Sequence, residues 1–215
     1  MDDSLTWNYH SARAQKARVG SRLRGVPIQL LHVAVWVMAL SGSTLLAFSM
    51  AFGWLIALSA VLPWMMIRWY EGELRHLPSG KSAAVDSLMS GDILGQLPQK
   101  PTPQDVAQAV GKVSSGQFMG IRFGLTPNVL SNLASNDPNA ITQLWHEAET
   151  VRIAAGVEHY TGSVLVVALI RCYPDYERLI AQIHLDDKDL IEGVRWQQHI
   201  RDLVTKFQMP KRTGG

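Results

Sequence analysis

The sequence predicts an all-α protein: a two-pass transmembrane helical hairpin followed by a helical domain facing the cytoplasm. Three observations carry this. Residues 25–67 contain no Asp, Glu, Lys or Arg, and His32 is their only ionisable side chain, which is too long an uncharged run for an ordinary core element. After position 100, apolar residues recur at spacings of three and four behind recognisable helix-start signals. No strand-rich, alternating stretch occurs anywhere in the chain. The mean hydropathy of +0.03 therefore averages two unlike parts and describes neither.

The first part is a basic arm, residues 1–25. From Ser4 to Arg24 it carries Arg13, Lys16, Arg18, Arg22 and Arg24 and no acid, the composition that anionic headgroups attract. Residues 71–215 are slightly acidic, so the overall +2 conceals opposite signs. No basic face is available there for nucleic acid, which is excluded as a partner. The single cysteine, Cys172, rules out an intramolecular disulfide and a multi-cysteine metal site. Lying at the end of an apolar run, it reads as a buried inert thiol.

The hairpin occupies residues 26–70. A bilayer core about 30 Å thick takes about 20 helical residues, so the uncharged run suffices for two passes. The first is expected from Pro27 to Ala47 and the second from Phe52 to Trp69, turning near Phe48, Ser49 and Gly53; Ser41, Gly42, Ser43 and Thr44 offer an earlier turn. Ala47, Ala51, Gly53, Ala57 and Ser59 would let the helices approach closely, and Pro63 would kink the second. Arg18, Arg22 and Arg24 precede the first pass and Arg68, Arg75 and Lys81 follow the second. The positive-inside rule then puts both termini in the cytoplasm, with Trp54, Trp64, Trp69 and Tyr70 as interface anchors. The expected location is the cell membrane, with the lipid bilayer as a partner. A cleaved signal peptide fits poorly because a second pass follows. The competing reading is a pair of buried helices in a soluble protein.

Residues 71–101 read as a connector, rich in Gly and Pro, with one short helix around Ala83–Met89. The helical domain follows over 102–207, with a start near 86 as the alternative, and 208–215 is a basic, flexible tail. Thr102-Pro103-Gln104-Asp105 places an N-cap hydroxyl, a proline at the first helical position and an acid three residues after the cap. Thr126-Pro127 repeats the signal. Asp137-Pro138 opens a longer helix carrying Ile141, Leu144, Trp145, Ala148, Val151 and Ala155, ended by Gly156. Ser163–Cys172 is apolar on every side except Arg171 and suits a central buried helix, although its β-branched content also permits a strand. Pro174 starts a further helix through Ile183. Asp186 and Asp187 cap a last one, in which Ile200, Leu203, Val204 and Phe207 share a face with Trp196.

Catalytic templates find no match. Gly80-Lys81-Ser82 lacks the first glycine of a phosphate-binding loop, since position 75 is Arg75. His146-Glu147 lacks a second histidine at Thr150, and no Gly-x-Ser-x-Gly turn occurs. His184 and His199 with Asp186, Asp187 and Asp189 could gather a cation, but acids at a helix start already serve as caps. The chain is read as a non-enzyme without cofactor or metal. Candidate partner-binding residues are the aromatic Trp145, Tyr160, Tyr176 and Trp196, for which core burial is the competing role. Glu158 and His159 are further partner-binding candidates, for which a solvated turn is the competing role.

A resemblance rests on the second half of the chain. Trp145-His146-Glu147-Ala148, Ala154-Ala155-Gly156, Val164-Leu165-Val166-Val167-Ala168-Leu169-Ile170, Leu179-Ile180, Leu185-Asp186 and Asp189-Leu190 stand in the order of a Clp amino-terminal repeat. The sequence thus resembles the helical module at the front of Clp-type AAA+ unfoldases. That family uses two such repeats of four helices, and Gly91-Asp92-Ile93-Leu94 through Leu133 looks like a degenerate first copy, with Phe123-Gly124-Leu125-Thr126-Pro127 at its Leu-Gly turn. The likeness covers roughly Asp86 to Phe207. Family members commonly carry Thr-Glu-His before the apolar helix, where this chain has Gly162-Ser163-Val164, so their recognition of basic or modified-arginine substrates does not transfer. The resemblance implies a membrane-tethered substrate- or adaptor-recognition domain serving protein quality control. Its implied partners are protein clients or adaptors, ATPase modules in cis and a protease ring, with oligomers as a further implication. The alternative is a small membrane protein whose helical domain is a scaffold or assembly module unrelated to Clp.

Overall fold

The computed structural model describes residues 5–74, 77, 80, 84–182 and 184–208, with side chains to residue 204. Among the described residues every regular element is a helix, and the only β feature is an isolated parallel bridge between Met89 and Tyr160. The chain divides into two compact units, residues 10–78 and residues 1–9 with 79–215. Arg75 and Lys81, read as flanking cations, lie outside the described residues, as do Ala83, Ile183 and the tail from 209.

In the unit formed by residues 10–78, α1 (Ala12–Leu23) is capped by Ser11, whose Oγ accepts from the Ala14 amide at 3.2 Å. It buries the small residues Ala14, Ala17 and Gly20. A Cβ on Gly20 would lie 3.1 Å from the Leu74 carbonyl oxygen, so small side chains set this close contact. Lys16 pairs with Glu73 at 2.8 Å on the same side. Gly25, at φ 84°, turns the chain into α2 (Val26–Ala47), with Pro27 in its first turn.

The first expected pass is thus matched within a residue. The turn falls at 48–51, with Ser49 at φ 59° and the Met50 amide donating to Leu45 O at 2.9 Å. The earlier turn does not form. Ser41, Ser43 and Thr44 instead donate to the carbonyls of Val37, Ala39 and Leu40 four residues back, which keeps those hydroxyls satisfied inside a continuous helix.

The second stretch runs as α3 (Phe52–Ser59) and α4 (Val61–Trp69), continued by a π-helical turn over Tyr70–Leu74. The break at Ala60 lies just before Pro63, whose nitrogen cannot donate to the Ser59 carbonyl. Close approach to α2 occurs at Gly53 and Ala57, as expected from their size, and at Gly42. A Cβ on Gly42 would lie 2.7 Å from the Ala57 nitrogen, and one on Gly53 2.8 Å from Gly42 O. Val26–Ala47 and Phe52–Leu74 are both long and apolar enough to cross a membrane. Their large side chains point outward: Leu30, Trp36, Leu40, Trp54, Leu55 and Leu62 are all more than 60% exposed.

The second unit is built around α11 (Gly162–Arg171). Gly162 to Ile170 are all buried, which excludes the strand alternative and makes this the central helix the sequence describes. Packed against it are α7 (Pro103–Gly111), α8 (Ser114–Phe123), α9 (Pro127–Leu133), α10 (Ala140–Ala155) and α13 (Asp187–Gln208). Thr102 and Asp105 form a reciprocal capping box on α7, and Thr126 caps α9. Gly156 ends α10 at φ 69°.

α10 starts at Ala140, later than Asp137-Pro138 suggests, because Asp137 Oδ1 accepts from the Asn139 amide at 2.9 Å and closes a turn first. Likewise α12 (Tyr176–Gln182) begins two residues after Pro174. The segment read as a connector joins this core: α5 (Val85–Leu88) and α6 (Gly91–Leu94) belong to this unit, with Val85, Met89, Ile93 and Leu94 fully buried.

Two glycines bring α8 against its neighbours. A Cβ on Gly116 would fall 2.2 Å from Val110 O, and one on Gly162 2.7 Å from the Gly116 nitrogen. Beside them the buried Thr161 and Ser163 hydroxyls lie 2.8 Å apart, Ser163 donates to Gln197 Oε1 at 3.1 Å, and the Gly162 amide donates to Ser115 Oγ at 3.0 Å. This polar seam satisfies the start of α11 while α8 and α13 close over it.

Candidate partner-binding surface

The six partner-binding candidates separate by burial. Trp145 is 2% exposed, with Trp7 stacked on it, and Tyr160 is fully buried, so in this structure neither presents a free ring. Tyr160 is a structural clip: its hydroxyl donates to Glu149 Oε2 at 2.6 Å, and its amide and carbonyl bond Leu88 O and the Ser90 amide. Arg152 donates to both Glu149 oxygens at 2.7 Å and to Val157 O at 3.2 Å, tying α10 to the loop after Gly156. Hydrogen bonds from Arg152, aided by Tyr160 and outweighing burial, hold the Glu149 carboxyl below the usual range. Burial, then the bond to Glu149, pushes the Tyr160 hydroxyl up.

The sign of the pH effect follows. A carboxylate with a lowered folded-state pKa contributes stability above its unfolded value, near 4.3, and loses it as pH falls through the folded value. Glu149→Gln should cost about 1 kcal/mol at pH 7, discounting for partial exposure. Wild-type protein should lose that advantage below about pH 4. Denaturant midpoints of both proteins across that range measure it.

Glu158 is solvent-exposed and His159 partly covered, their side chains 3.9 Å apart, and they form a surface turn. Tyr176 donates to Asp187 Oδ1 at 2.6 Å, and burial, then that carboxylate, pushes its hydroxyl up to about 12. Burial raises the Asp187 carboxyl, but hydrogen bonds from Arg171 and Tyr176 prevail and lower it. Arg171 also reaches Glu147 at 3.8 Å, so the three form an ionic brace between α10, α11 and α13. Asp189 accepts the Asp186 amide at 3.0 Å, the capping role its position suggests. Cys172 is half-buried, and burial together with the Glu147 charge pushes its thiol up to about 11, far from a thiolate at neutral pH.

Trp196 differs from the other aromatic candidates. Its ring is 48% exposed on α13, packed at 5.4 Å against Phe118 and covered by the Arg122 guanidinium at 4.8 Å. Both neighbours come from α8. Ile121, one position before Arg122, is 87% exposed. On its other flank α8 borders an apolar groove of about 330 Å³, lined by Gly116, Gly120, Ile121, Leu125, Pro127 and Leu130 among others. The groove exists because glycines supply its α8 wall: a Cβ on Gly120 would lie 2.6 Å from Leu125 O. Apolar groove, exposed isoleucine and arginine-capped tryptophan thus follow one another across a single helix.

Phe118, Ile121 and Arg122 escape the sequence reading because Gly116 and Gly120 dilute the apolar periodicity of Ser114–Phe123. A glycine every fourth residue was the available signal. Among the described residues no group of His, Cys, Asp and Glu is arranged to hold a metal ion. No protein-family model matches the chain, and no curated protein or solved structure is significantly similar to it.

Proposed function

We propose that the chain is a membrane-tethered receptor for exposed apolar segments of unfolded proteins or of their adaptors. In this reading the helical domain acts as the Clp-like recognition head and the hairpin as its anchor. The observation that carries it is the α8–α13 surface. Half-exposed Trp196 beside Phe118, with Arg122 above it and a glycine-walled groove alongside, combines the aromatic and arginine anchors that dominate protein recognition with room for apolar side chains. Arg122 adds a preference for segments that carry an acid.

The anchor is supported by the outward apolar surface of α2, α3 and α4 and by the chain path. Thr6 and Trp7, before the hairpin, contact Val85, Gln99 and Trp145, after it. A chain whose two ends meet in this way crosses a bilayer an even number of times. Two crossings with uncharged turn residues and cationic flanks support a topology with both ends in the cytoplasm. Tethering concentrates the head beside membrane-associated clients, and unfolding would fall to ATPase modules and a protease ring acting with it.

Trp196→Ala is the test. Hot-spot aromatic residues carry about 2 kcal/mol or more of binding, so capture of an unfolded reporter by the full chain should weaken at least about tenfold. The melting temperature should stay nearly unchanged, since the ring is half in solvent. Unfolding of the variant would make Trp196 a structural residue. Unchanged capture, or no capture by wild type, would favour the scaffold reading.

A further inference from the structure

Residues 5–8 run over the helical domain outside any regular element, and a turn begins at Tyr9. Leu5, Trp7 and Tyr9 are partly buried while Thr6 and Asn8 are exposed, the period-two pattern of a strand laid on a surface. Among the contacts that hold it, the Val85 amide donates to Thr6 O at 3.1 Å, the Trp7 indole N–H donates to Gln99 O at 3.1 Å, and the Trp7 ring stacks on Trp145 with centroids 6.3 Å apart and 23° between planes. The segment belongs to this unit although residues 10–78, which form the other unit, separate it in sequence.

We propose that α5, Gln99 and Trp145 form a binding site for an extended peptide carrying an aromatic residue, and that the chain's own N-terminal segment fills it in cis. The recognition elements are those of strand-type peptide binding: a backbone bond that any residue can make, and an aromatic surface that selects one side chain. Nothing in these contacts is specific to a covalently attached segment. The N-terminal segment of a second copy carries the same Thr6 and Trp7 and can make the same contacts.

Covalent attachment gives the cis segment an effective concentration on the order of millimolar, so it holds the site until a competitor displaces it. This accounts for the burial of Trp145, whose face Trp7 covers. The inference does not depend on the Clp-like reading and uses Trp145 rather than Trp196.

The experiment is binding of a fluorescein-labelled peptide with the sequence of residues 4–10 to the full chain in detergent micelles, read by anisotropy. Trp7→Ala frees the site and should bind the peptide at least tenfold more tightly than wild type. Trp7→Phe, which keeps a stacking ring but loses the indole N–H, should fall between the two and covers the case in which the alanine variant does not fold. A peptide with alanine at the tryptophan position should bind none of them. Equal affinity for wild type and both variants, no binding to either variant, or equal binding of the alanine-bearing peptide would overturn the proposal.

Discussion

Gly116→Val should destabilise the helical domain by about 3 kcal/mol or more, whereas Ile121→Ala, at an 87% exposed position of the same helix, should stay within about 0.5 kcal/mol. A Cβ at position 116 would sit 2.2 Å from the Val110 carbonyl oxygen and 2.9 Å from its carbon, and those are backbone atoms that cannot rotate away. Relief requires α8 to move off α7. That motion breaks the Gly162–Ser115 hydrogen bond and uncovers the start of the buried helix α11. The higher helix propensity of valine over glycine offsets only a few tenths of a kcal/mol. Urea denaturation of the full chain in micelles, followed by tryptophan emission, gives both values; equal stability of the two variants would remove the argument that glycines hold α8 in place.

Val37→Lys should sharply reduce membrane retention while leaving the helical domain folded. Val37 is 58% exposed on α2, in the middle of the first apolar stretch. If that face meets water, exchanging an exposed valine for lysine is nearly neutral. If it meets lipid, a lysine at the centre of a spanning helix costs about 2.5–3.5 kcal/mol of insertion. The two environments therefore give effects differing by about seventyfold or more in partition. Fractionation with alkaline extraction, with far-ultraviolet circular dichroism of the released protein, reads both halves of the prediction.

The parts of the fold that could be read from sequence are those in which one local rule acts alone. Thr102, Thr126 and Gly156 mark helix ends through single hydrogen bonds or one positive φ, and the structure places those ends where they indicate. The uncharged stretch gives the hairpin limits because length and charge suffice. Long-range packing is not written locally. α8 is invisible because the glycines that permit its contacts also erase its periodicity, and α5 and α6 look like connector because their buried residues Val85, Met89, Ile93 and Leu94 sit among Gly, Ser and Pro. Trp145 and Tyr160 read as either anchors or core because a sequence cannot say whether an aromatic face is already taken. One is covered by Trp7, ninety-two positions removed from its indole's acceptor Gln99, and the other is clipped by Glu149. Trp196 remains half in solvent, packed on Phe118 and Arg122 of α8.

The central claim is a membrane hairpin with both flanks on one side, and cysteine accessibility tests it most directly. In a Cys172→Ser background, single substitutions Asn8→Cys, Ser49→Cys and Lys188→Cys place a thiol in the N-terminal segment, the hairpin turn and the start of α13. Treated with a membrane-impermeant maleimide in intact spheroplasts, only Ser49→Cys should label; in inverted vesicles, Asn8→Cys and Lys188→Cys should label and Ser49→Cys should not. Labelling of Asn8→Cys and Lys188→Cys from opposite sides, or of all three from the same side, would overturn the topology and with it the anchored receptor.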